Sequence, residues 1–396
     1  MAEAGNKERQ RLTEAVDRLV PRWGELALRL HAHPELGFEE HQACAWLAEA
    51  MEEAGFAVER GAAGMPTAFV ASFETSGNGP VIAFLAEYDA KPGTGHSCGH
   101  NLSGPASCLA AHALSAAAAD RPVRLRVLGT PGEETGHGGK LAMIERGLFE
   151  DVDFAMMAHA GFMNLPSRDM LCRRNIAAEF HARETGEPGG SGADTSALDA
   201  LLRTFEGLGR MRSDLPPRVQ LDGVITDGGR IDRSKVTCGS TRAEFLIRAT
   251  TTAHAEELES RLAAVARSAA EATGTELRWS GEWGPYLPMK RNAVLEAAYA
   301  DSLAFLGEEV GCFPADWSIG YTDFGNVSQV VPGIHAYFKA AEPGIEHHTP
   351  EYAEASRSAL GLSGMVVAAK AMALTALDLT SNAALREGVQ HDFRGS

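Results

Sequence analysis

The sequence contains few of the features that mark secreted or nucleic-acid-binding proteins. Its six cysteines are spread over 396 residues without a Cys-x-x-Cys pair, which argues against a disulfide framework or a zinc knuckle in a cytosolic chain. Lysine and arginine total 36 against 53 aspartates and glutamates, so the formal net charge is −17. This charge repels phosphate backbones, and we expect no nucleic-acid partner.

Uninterrupted apolar runs long enough for a signal peptide or a membrane span are also lacking. The first twenty residues mix both charge signs with apolar residues at helical spacing, unlike the continuous apolar centre of a signal peptide. Lys370 and Asp378 interrupt the apolar stretch 360–379, which is therefore predicted to be a buried helix and not a membrane span. We expect a cytoplasmic protein without a membrane partner.

The chain is long enough for two hydrophobic cores. Strand-like and helical runs alternate up to about residue 174, in the βαβ rhythm of a sheet covered by helices. The order changes to βαββαβ over 175–285, and the larger rhythm resumes over 286–396. We predict an α/β catalytic domain built from segments 1–174 and 286–396, with a smaller α+β domain, 175–285, inserted between them.

A Cys-x-His pair supplies the sharpest chemical signal. Cys98 and His100 follow the predicted strand 81–86 and a glycine-containing turn, just before a helix. Ligands at the end of a strand are where open α/β folds place their sites, and thiolate and imidazole both bind transition metals. Taken alone, the pair is more often a packed thiol beside a surface histidine.

Two adjacent carboxylates lie at the end of the next predicted strand. Glu133 and Glu134 occupy the glycine-bracketed loop 129–136. One of them could bind a metal while the other holds the water, as metal-assisted hydrolysis requires. Taken alone, such a pair more often stabilises the start of a helix.

Further histidines complete a possible set of ligands. His159 closes the apolar run 154–158, and His347 and His348 lie in the loop before the last long helix. The strand-end and loop positions together supply Cys, Glu and His for one or two divalent metals. Their joint placement at one edge of a sheet is hard to explain as packing.

Six segments carry a family resemblance. In chain order they are HPELGFEE (33–40), LAEYDAKPGTGHSCGHNL (85–102), GTPGEETGHGGK (129–140), MAHAG (157–161), TDFGNVSQVVPGIHAYF (322–338) and HTPEY (348–352). The chain thereby resembles the aminoacylase and carboxypeptidase-type metallopeptidases, in particular the amidohydrolase branch with p-aminobenzoyl-glutamate hydrolase, auxin-conjugate hydrolases and aminoacylase-1-like dipeptidases. The resemblance implies a di-zinc-peptidase-like mixed sheet covered by helices, with an inserted lid domain that commonly pairs in a homo-oligomer.

The resemblance also implies a role for each matching residue. The metal ligands are Cys98, which would bridge two ions when both are present, and His100, Glu134, His159 and His348. His347 is a close rival of His348, but the H-T-P-x-aromatic pattern favours the latter. Glu133 would be the general base, and Asp89 would hold a ligand histidine in one tautomer. Manganese or zinc is the expected metal, and cobalt or nickel would also suit the ligands.

The predicted lid departs from the family pattern. The family's lid histidine, which helps to hold the developing oxyanion, falls at Gly186 in this register, and His181 is five residues too early. One lost donor of this kind typically costs about 2.7 to 4 kcal/mol. Arginines could substitute for this donor or bind a substrate carboxylate; the candidates are Arg173, Arg174, Arg183 and Arg291. His347 is a further candidate for substrate binding.

Three functions are compatible with these features. The first is metal-dependent hydrolysis of a C–N bond in a small carboxylate-bearing molecule, by default the amide of an N-acyl amino acid, dipeptide or aryl-amide conjugate. The second is hydrolytic deamination of an aromatic amine, resembling 5-nitroanthranilate aminohydrolase, because an activated ring has less need of the missing histidine. The third is a catalytically inactive binding protein, against which the presence of both Glu133 and Glu134 argues.

Overall fold

The computed structural model describes residues 2–117, 122–182, 196–232, 235–281, 284–313 and 320–395. The strands in these residues are β1 (Ala57–Arg60), β2 (Phe69–Glu74), β3 (Val81–Ala86), β4 (Arg124–Gly129), β5 (Phe154–Gly161), β6 (Cys172–His181), β7 (Gln220–Asp227), β8 (Arg230–Asp232), β9 (Lys235–Thr237), β10 (Ser240–Ala249), β11 (Glu276–Gly281) and β12 (Gly333–Lys339). The α-helices are α1 (Ala2–Ala32), α2 (His41–Glu53), α3 (His100–Ala117), α4 (Gly139–Glu145), α5 (Ser196–Arg212), α6 (Thr252–Thr273), α7 (Ala293–Phe305), α8 (Phe324–Val330), α9 (Pro350–Ala355), α10 (Ala359–Ser381) and α11 (Ala383–Gly395).

The chain divides into two compact units. The first contains Met1–Asp169, Met289–Trp317 and Asn326–Ser396, and the second contains Met170–Pro288 and Ser318–Gly325. The stretch Ser318–Gly325 falls within the segment that the sequence assigns to the catalytic domain.

A six-stranded mixed sheet forms the centre of the first unit. The strand order is β1-β2-β4-β3-β5-β12, and β4, β3, β5 and β12 run parallel to one another. The central strand β3 is buried at every position, as is typical of a parallel strand covered on both faces, whereas the edge strand β1 is mostly exposed. The mixed sheet predicted for the catalytic domain is confirmed.

The parallel strands end side by side. Ala86 at the end of β3 is paired with Gly129 of β4, and Lys339 at the end of β12 is paired with Gly161 of β5. Because the carboxyl ends of parallel strands meet at one edge, the loops that follow these strands share that edge.

Helices cover the sheet of the first unit, and among them is the long apolar helix α10. Its two charged residues are neutralised by α1, because Asp378 Oδ2 lies 2.7 Å from Arg9 Nη1 and Lys370 Nζ lies 2.7 Å from Asp17 Oδ1. By length and composition alone α10 could cross a bilayer, but 67% of its most apolar window is buried within the protein. Core helices commonly have this character.

The second unit is a four-stranded antiparallel sheet, ordered β11-β6-β10-β7, with α5 and α6 packed against it. Its own hydrophobic core includes Phe180, Leu201, Phe245 and Leu258. The predicted element order βαββαβ is present here, and the short hairpin β8–β9 is added to it.

Two element boundaries near the predicted ligands differ from expectation. The helix predicted to follow His100 begins at His100 itself, because the amides of Leu102 and Ser103 both donate to the Gly99 carbonyl. The strand predicted to end at Ala158 continues to Gly161, because β12 pairs with it along that length. His159 therefore lies within β5 and not after it.

Candidate metal centre

Cys98, His100 and His159 come together at the carboxyl edge of the first unit's sheet. One potential ligand atom from each lies within 4.8 Å of the others, and Cys98 Sγ is 3.4 Å from His159 Nε2. Cys98 and His100 are buried and His159 is half-buried. We call these three residues the buried ligand group.

Both histidines of the buried ligand group are oriented by a bond to their other ring nitrogen. His100 Nδ1 lies 2.8 Å from Asp89 Oδ1, and His159 Nδ1 lies 2.7 Å from the Ala160 carbonyl oxygen. Such bonds fix the tautomer and leave Nε2 to bind a metal. The structure thus places Asp89 where the family resemblance predicts a supporting residue.

Cys98 also belongs to a second cluster with Glu134 and His348. One potential ligand atom from each lies within 4.8 Å of the others, and His348 Nε2 is 3.2 Å from Glu134 Oε1. The side chain of His348 is 49% exposed, against 8% for Glu134. We call Cys98, Glu134 and His348 the exposed ligand group.

The backbone around His348 is unusual. Its φ of 67° lies in the left-handed region that favours glycine, and its amide donates to the Ser97 carbonyl at 2.8 Å. Non-glycine residues in this region carry strain and concentrate at functional sites. His347 faces elsewhere, with Nε2 2.9 Å from the Ala160 carbonyl oxygen and its ring 4.1 Å from that of Tyr352.

Glu133 lies beside both ligand groups. It is buried, and a carboxylate oxygen of it lies within 4.8 Å of ligand atoms of His100 and Glu134. The loop that holds both glutamates begins at Gly132, whose φ is 73°. The ring of Phe38 packs against its Cα, and a Cβ added there would lie only 2.5 Å from that ring. A side chain at Gly132 would therefore collide with the ring of Phe38.

Negative charge surrounds His100. Burial by itself would lower the pKa of His100, but the charges of Cys98, Asp89 and Glu87 outweigh burial and hold the pKa well above its ordinary value. Burial raises the pKa of the Cys98 thiol, with a further contribution from Glu134. Burial would also raise the pKa of Glu134, yet the hydrogen bond from His348 and the nearby charges of His100 and Lys91 hold it well below its usual range.

These residues fit a divalent cation. Among the described residues, the buried atoms His100 Nε2 and Glu87 Oε2 make no hydrogen bond and face each other at 3.3 Å. Such atoms are costly unless something else satisfies them. Thiolate, imidazole and carboxylate converge on the same space, a mixture that suits zinc, manganese or cobalt.

Three charged residues of this centre were not identified from the sequence. Glu87 and Lys140 form a fully buried ion pair of 2.6 Å, and Glu87 Oε2 lies 3.3 Å from His100 Nε2. Lys91 Nζ lies 2.7 Å from Glu134 Oε2. Glu87 and Lys91 lie two positions on either side of the motif residue Asp89, and this proximity in sequence is the one feature that could have identified them.

Three of the four predicted substrate-binding arginines lie among the described residues, and each has a partner within its own unit. Arg291 is engaged by Glu296 at 2.5 Å and Asp169 at 3.4 Å, so its charge is already neutralised. Arg173 belongs to the second unit and stacks on Tyr286 and Tyr321, and Arg174 pairs with Glu259.

The lid positions singled out from the sequence are described only in part. His181 lies in β6 beside Glu179, with 3.4 Å between Nε2 and Oε2. Gly186 and Arg183 fall outside the described residues.

Comparison with known proteins finds one family and several relatives. A model of the peptidase family M20/M25/M40 matches residues 70–377. The Xaa-Arg dipeptidase of Mus musculus is 34% identical over 98% of this chain and 92% of its own length. A p-aminobenzoyl-glutamate hydrolase chain of Escherichia coli is 28% identical over 97% of this chain and 94% of its own length.

A solved structure shares the fold. The Bacillus subtilis protein described as a dinuclear metal binding peptidase from the M20 family superposes with a TM-score of 0.66, at 20% identity, over 92% of this chain and 99% of that one.

Proposed function

The chain belongs to peptidase family M20/M25/M40, a family of hydrolases that act on C–N bonds, and from this premise we propose that it hydrolyses the amide of a small carboxylate-bearing substrate. The observation that carries the proposal is the position of Glu133, which lies within 4.8 Å of ligand atoms of His100 and Glu134. A carboxylate so placed can exchange a proton with a water held between the ligands and the substrate.

Cys98, His100, Glu134, His159 and His348 would hold one or two divalent cations, manganese or zinc in the first instance. When bound, a cation of this kind acts as a Lewis acid that activates water and polarises the amide carbonyl. Asp89 would keep His100 in the tautomer that presents Nε2. Glu133 would accept the proton of the attacking water and transfer it to the leaving nitrogen.

The names of the relatives support a substrate class. One relative is named an Xaa-Arg dipeptidase, and another a hydrolase of p-aminobenzoyl-glutamate. In both names the amide nitrogen belongs to an amino acid with a free carboxylate. We therefore propose a dipeptide or an N-acyl amino acid as substrate.

Replacement of Glu133 by Gln tests the proposal. We expect Glu133→Gln to retain metal, since a glutamine keeps the size of the side chain, and to lose about 10²- to 10⁴-fold in turnover because the base is gone. Metal content by mass spectrometry and turnover on a panel of dipeptides, N-acyl amino acids, p-aminobenzoyl-glutamate and amino-substituted benzoates measure the two effects.

Glu145→Gln, at the exposed end of α4 that follows the same loop, is the matched control and should keep full turnover. Unchanged turnover in Glu133→Gln would overturn the assignment. Ammonia released with an intact hydroxylated ring would instead establish aromatic deamination, the alternative that the glycine at position 186 favours.

We further propose a cytoplasmic homo-oligomer. The second unit supports the assembly, because β7 is an edge strand of its sheet and exposes Val224 and Ile225, and an apolar edge can pair with another chain. Light scattering of the purified protein, compared with a Val224→Lys variant, tests it; a monomer in both would overturn it.

A further inference from the structure

A buried glutamate outside the predicted set of ligands faces the metal centre. Glu87 is fully buried, and its Oε2 lies 3.3 Å from His100 Nε2, although neither atom makes a hydrogen bond in the described part of the chain. The other ring nitrogen of His100 bonds to Asp89 Oδ1 at 2.8 Å. In the tautomer that this bond fixes, Nε2 directs a lone pair at the carboxylate of Glu87. Two acceptor atoms that face each other away from water need a positive charge between them.

The distance between these two atoms matches the spacing of two donors on one metal ion. Nitrogen and oxygen donors bind zinc at about 2.0 to 2.2 Å, so two of them on one ion lie roughly 3.0 to 3.5 Å apart. The 3.3 Å between Glu87 Oε2 and His100 Nε2 falls in that range. The gap between Cys98 Sγ and His159 Nε2, within the buried ligand group, is of similar size at 3.4 Å. Glu87 is thus spaced from His100 as a second ligand of the same ion would be.

Lys140 holds the carboxylate of Glu87 in this orientation. Its Nζ lies 2.6 Å from Glu87 Oε1, and both side chains are fully buried. Because the lysine engages Oε1, the other oxygen is left for a metal, and carboxylates that bind metals are commonly hydrogen-bonded in this way. Lys140 is the second residue of α4, which follows the loop of Glu133 and Glu134. The ion pair therefore joins the loops that follow β3 and β4.

We infer that Glu87 is a further ligand of the ion that His100 binds, with Lys140 as its positioning residue, an inference that rests on the metal site of the proposed function. A carboxylate oxygen is a harder donor than the thiolate and imidazoles of the buried ligand group, so Glu87 shifts the preference of that group from zinc toward manganese. An oxygen of Glu87 also lies within 4.8 Å of one of Glu133, so an ion held here would lie close to the proposed base.

Metal affinity in the absence of substrate tests the assignment. We would titrate metal-free unaltered protein and Glu87→Gln with manganese and with zinc by calorimetry, in competition with a chelator. We expect the first manganese ion to bind roughly 10- to 100-fold more weakly in Glu87→Gln, and zinc to lose less, because an anionic oxygen donor is gone. Asp378→Asn is the matched control, since it breaks an ion pair of 2.7 Å with Arg9 in the same unit. Its affinities for both metals should equal those of the unaltered protein.

Lys140→Met distinguishes a ligand from a purely structural ion pair. Both single variants break the pair, but only Glu87→Gln removes the donor oxygen. We therefore expect Lys140→Met to bind manganese at least as tightly as the unaltered protein, because it removes a positive charge 2.6 Å from the ligand carboxylate. The double variant Glu87→Gln/Lys140→Met leaves neither partner as an unpaired buried charge, so it should fold even where a single variant does not. It should bind manganese as weakly as Glu87→Gln.

The outcomes separate this inference from the proposed function. Equal losses of manganese affinity in Glu87→Gln and Lys140→Met, or recovery of affinity in the double variant, would mean that the pair is only structural and would overturn the inference. Unchanged manganese affinity in Glu87→Gln would overturn it as well, and turnover of the substrate panel by the unaltered protein would show that the function nevertheless stands. If the affinities change as expected but the unaltered protein hydrolyses nothing in the panel, Glu87 is a ligand and the proposed function is wrong.

Discussion

The buried and exposed ligand groups share Cys98, but the protein holds their other members in different ways. His100 and His159 are each oriented by a bond to the second ring nitrogen. His348 is about half exposed and strained in its backbone, and Glu134 already contacts a cation, Lys91. The buried group is therefore organised in advance, whereas the exposed group would bind a metal beside the positive charge of Lys91.

This difference indicates two unequal metal affinities. Rigid ligands lose little freedom on binding a metal, and supporting bonds of the kind made by Asp89 are commonly worth 10- to 100-fold in affinity, roughly. In the exposed group, no supporting residue of this kind orients His348 among the described residues; the ring of His348 contacts only its fellow ligand Glu134. We expect one ion bound tightly by the buried group and a second bound more weakly.

Removal of the shared ligand should have the largest effect. Cys98→Ala takes a ligand from both groups, and we expect affinity for both ions to fall by more than about 100-fold, beyond the cost of losing a supporting residue. Metal content after gel filtration measures the loss. His348→Ala should by contrast remove only the second ion, and Cys312→Ala, at an exposed cysteine, should remove none. Equal losses in Cys98→Ala and His348→Ala would contradict the comparison.

Removal of the competing cation should act in the opposite direction. Lys91 Nζ is 2.7 Å from Glu134 Oε2, so its charge repels a metal at the exposed group. We expect Lys91→Met to raise the affinity for the second ion roughly 10-fold and to leave the first unchanged. Titration of metal-free protein with manganese, followed by calorimetry, resolves the two affinities.

Lys370→Met is the matched control, because Lys370 forms an ion pair of the same length with Asp17 in the same unit. Its two metal affinities should equal those of the unaltered protein. An unchanged second affinity in Lys91→Met would show that Lys91 does not compete with the metal.

Much of the fold could be predicted from sequence because hydrophobic periodicity is local. The sequence predicts the bounds of β3 to the residue and those of α10 to within two residues at each end. The edge strand β1 and the helix α11 are not predicted, because β1 has no buried side chain and α11 buries only Val389. The family was predicted because its motifs are contiguous segments.

The parts of the centre that could not be predicted depend on contacts between distant residues. Glu87 and Lys140 are 53 positions apart, and nothing local in either segment specifies their ion pair. The same holds for Lys91 and Glu134, which are 43 positions apart and which only the fold brings together. The candidate ligands were found from motifs, whereas the charges that surround them were not.

The last expected effect concerns the loop that carries Glu134. Glu40, from the motif HPELGFEE, is fully buried and its Oε1 accepts a hydrogen bond of 2.8 Å from the Gly132 amide, 92 positions away. Burial, reinforced by the charge of Asp89, raises the pKa of Glu40 from 4.5 to about 7. The carboxyl group is therefore more readily protonated in the folded protein than in the unfolded chain.

The sign of the resulting pH dependence follows from linkage. Below pH 4.5 Glu40 is protonated in both states, and its contribution to the free energy of unfolding is at its maximum; as the pH rises toward 7 the unfolded chain releases the proton first, and stability is lost. The full difference in pKa corresponds to at most about 3 kcal/mol. Glu40→Gln keeps the acceptor for Gly132 and carries no charge, so it should lack this decline.

Urea unfolding of metal-free protein at pH 5 and pH 8 measures the effect. We expect the unaltered protein to lose stability relative to Glu40→Gln across this interval, while the exposed neighbour Glu39→Gln behaves like the unaltered protein. Parallel pH profiles for Glu40→Gln and the unaltered protein would mean that Glu40 is not protonated more readily on folding. The loop that carries Glu134 would then be held by a charged carboxylate of Glu40. The exposed ligand group would in that case be more rigid than its comparison with the buried ligand group indicates.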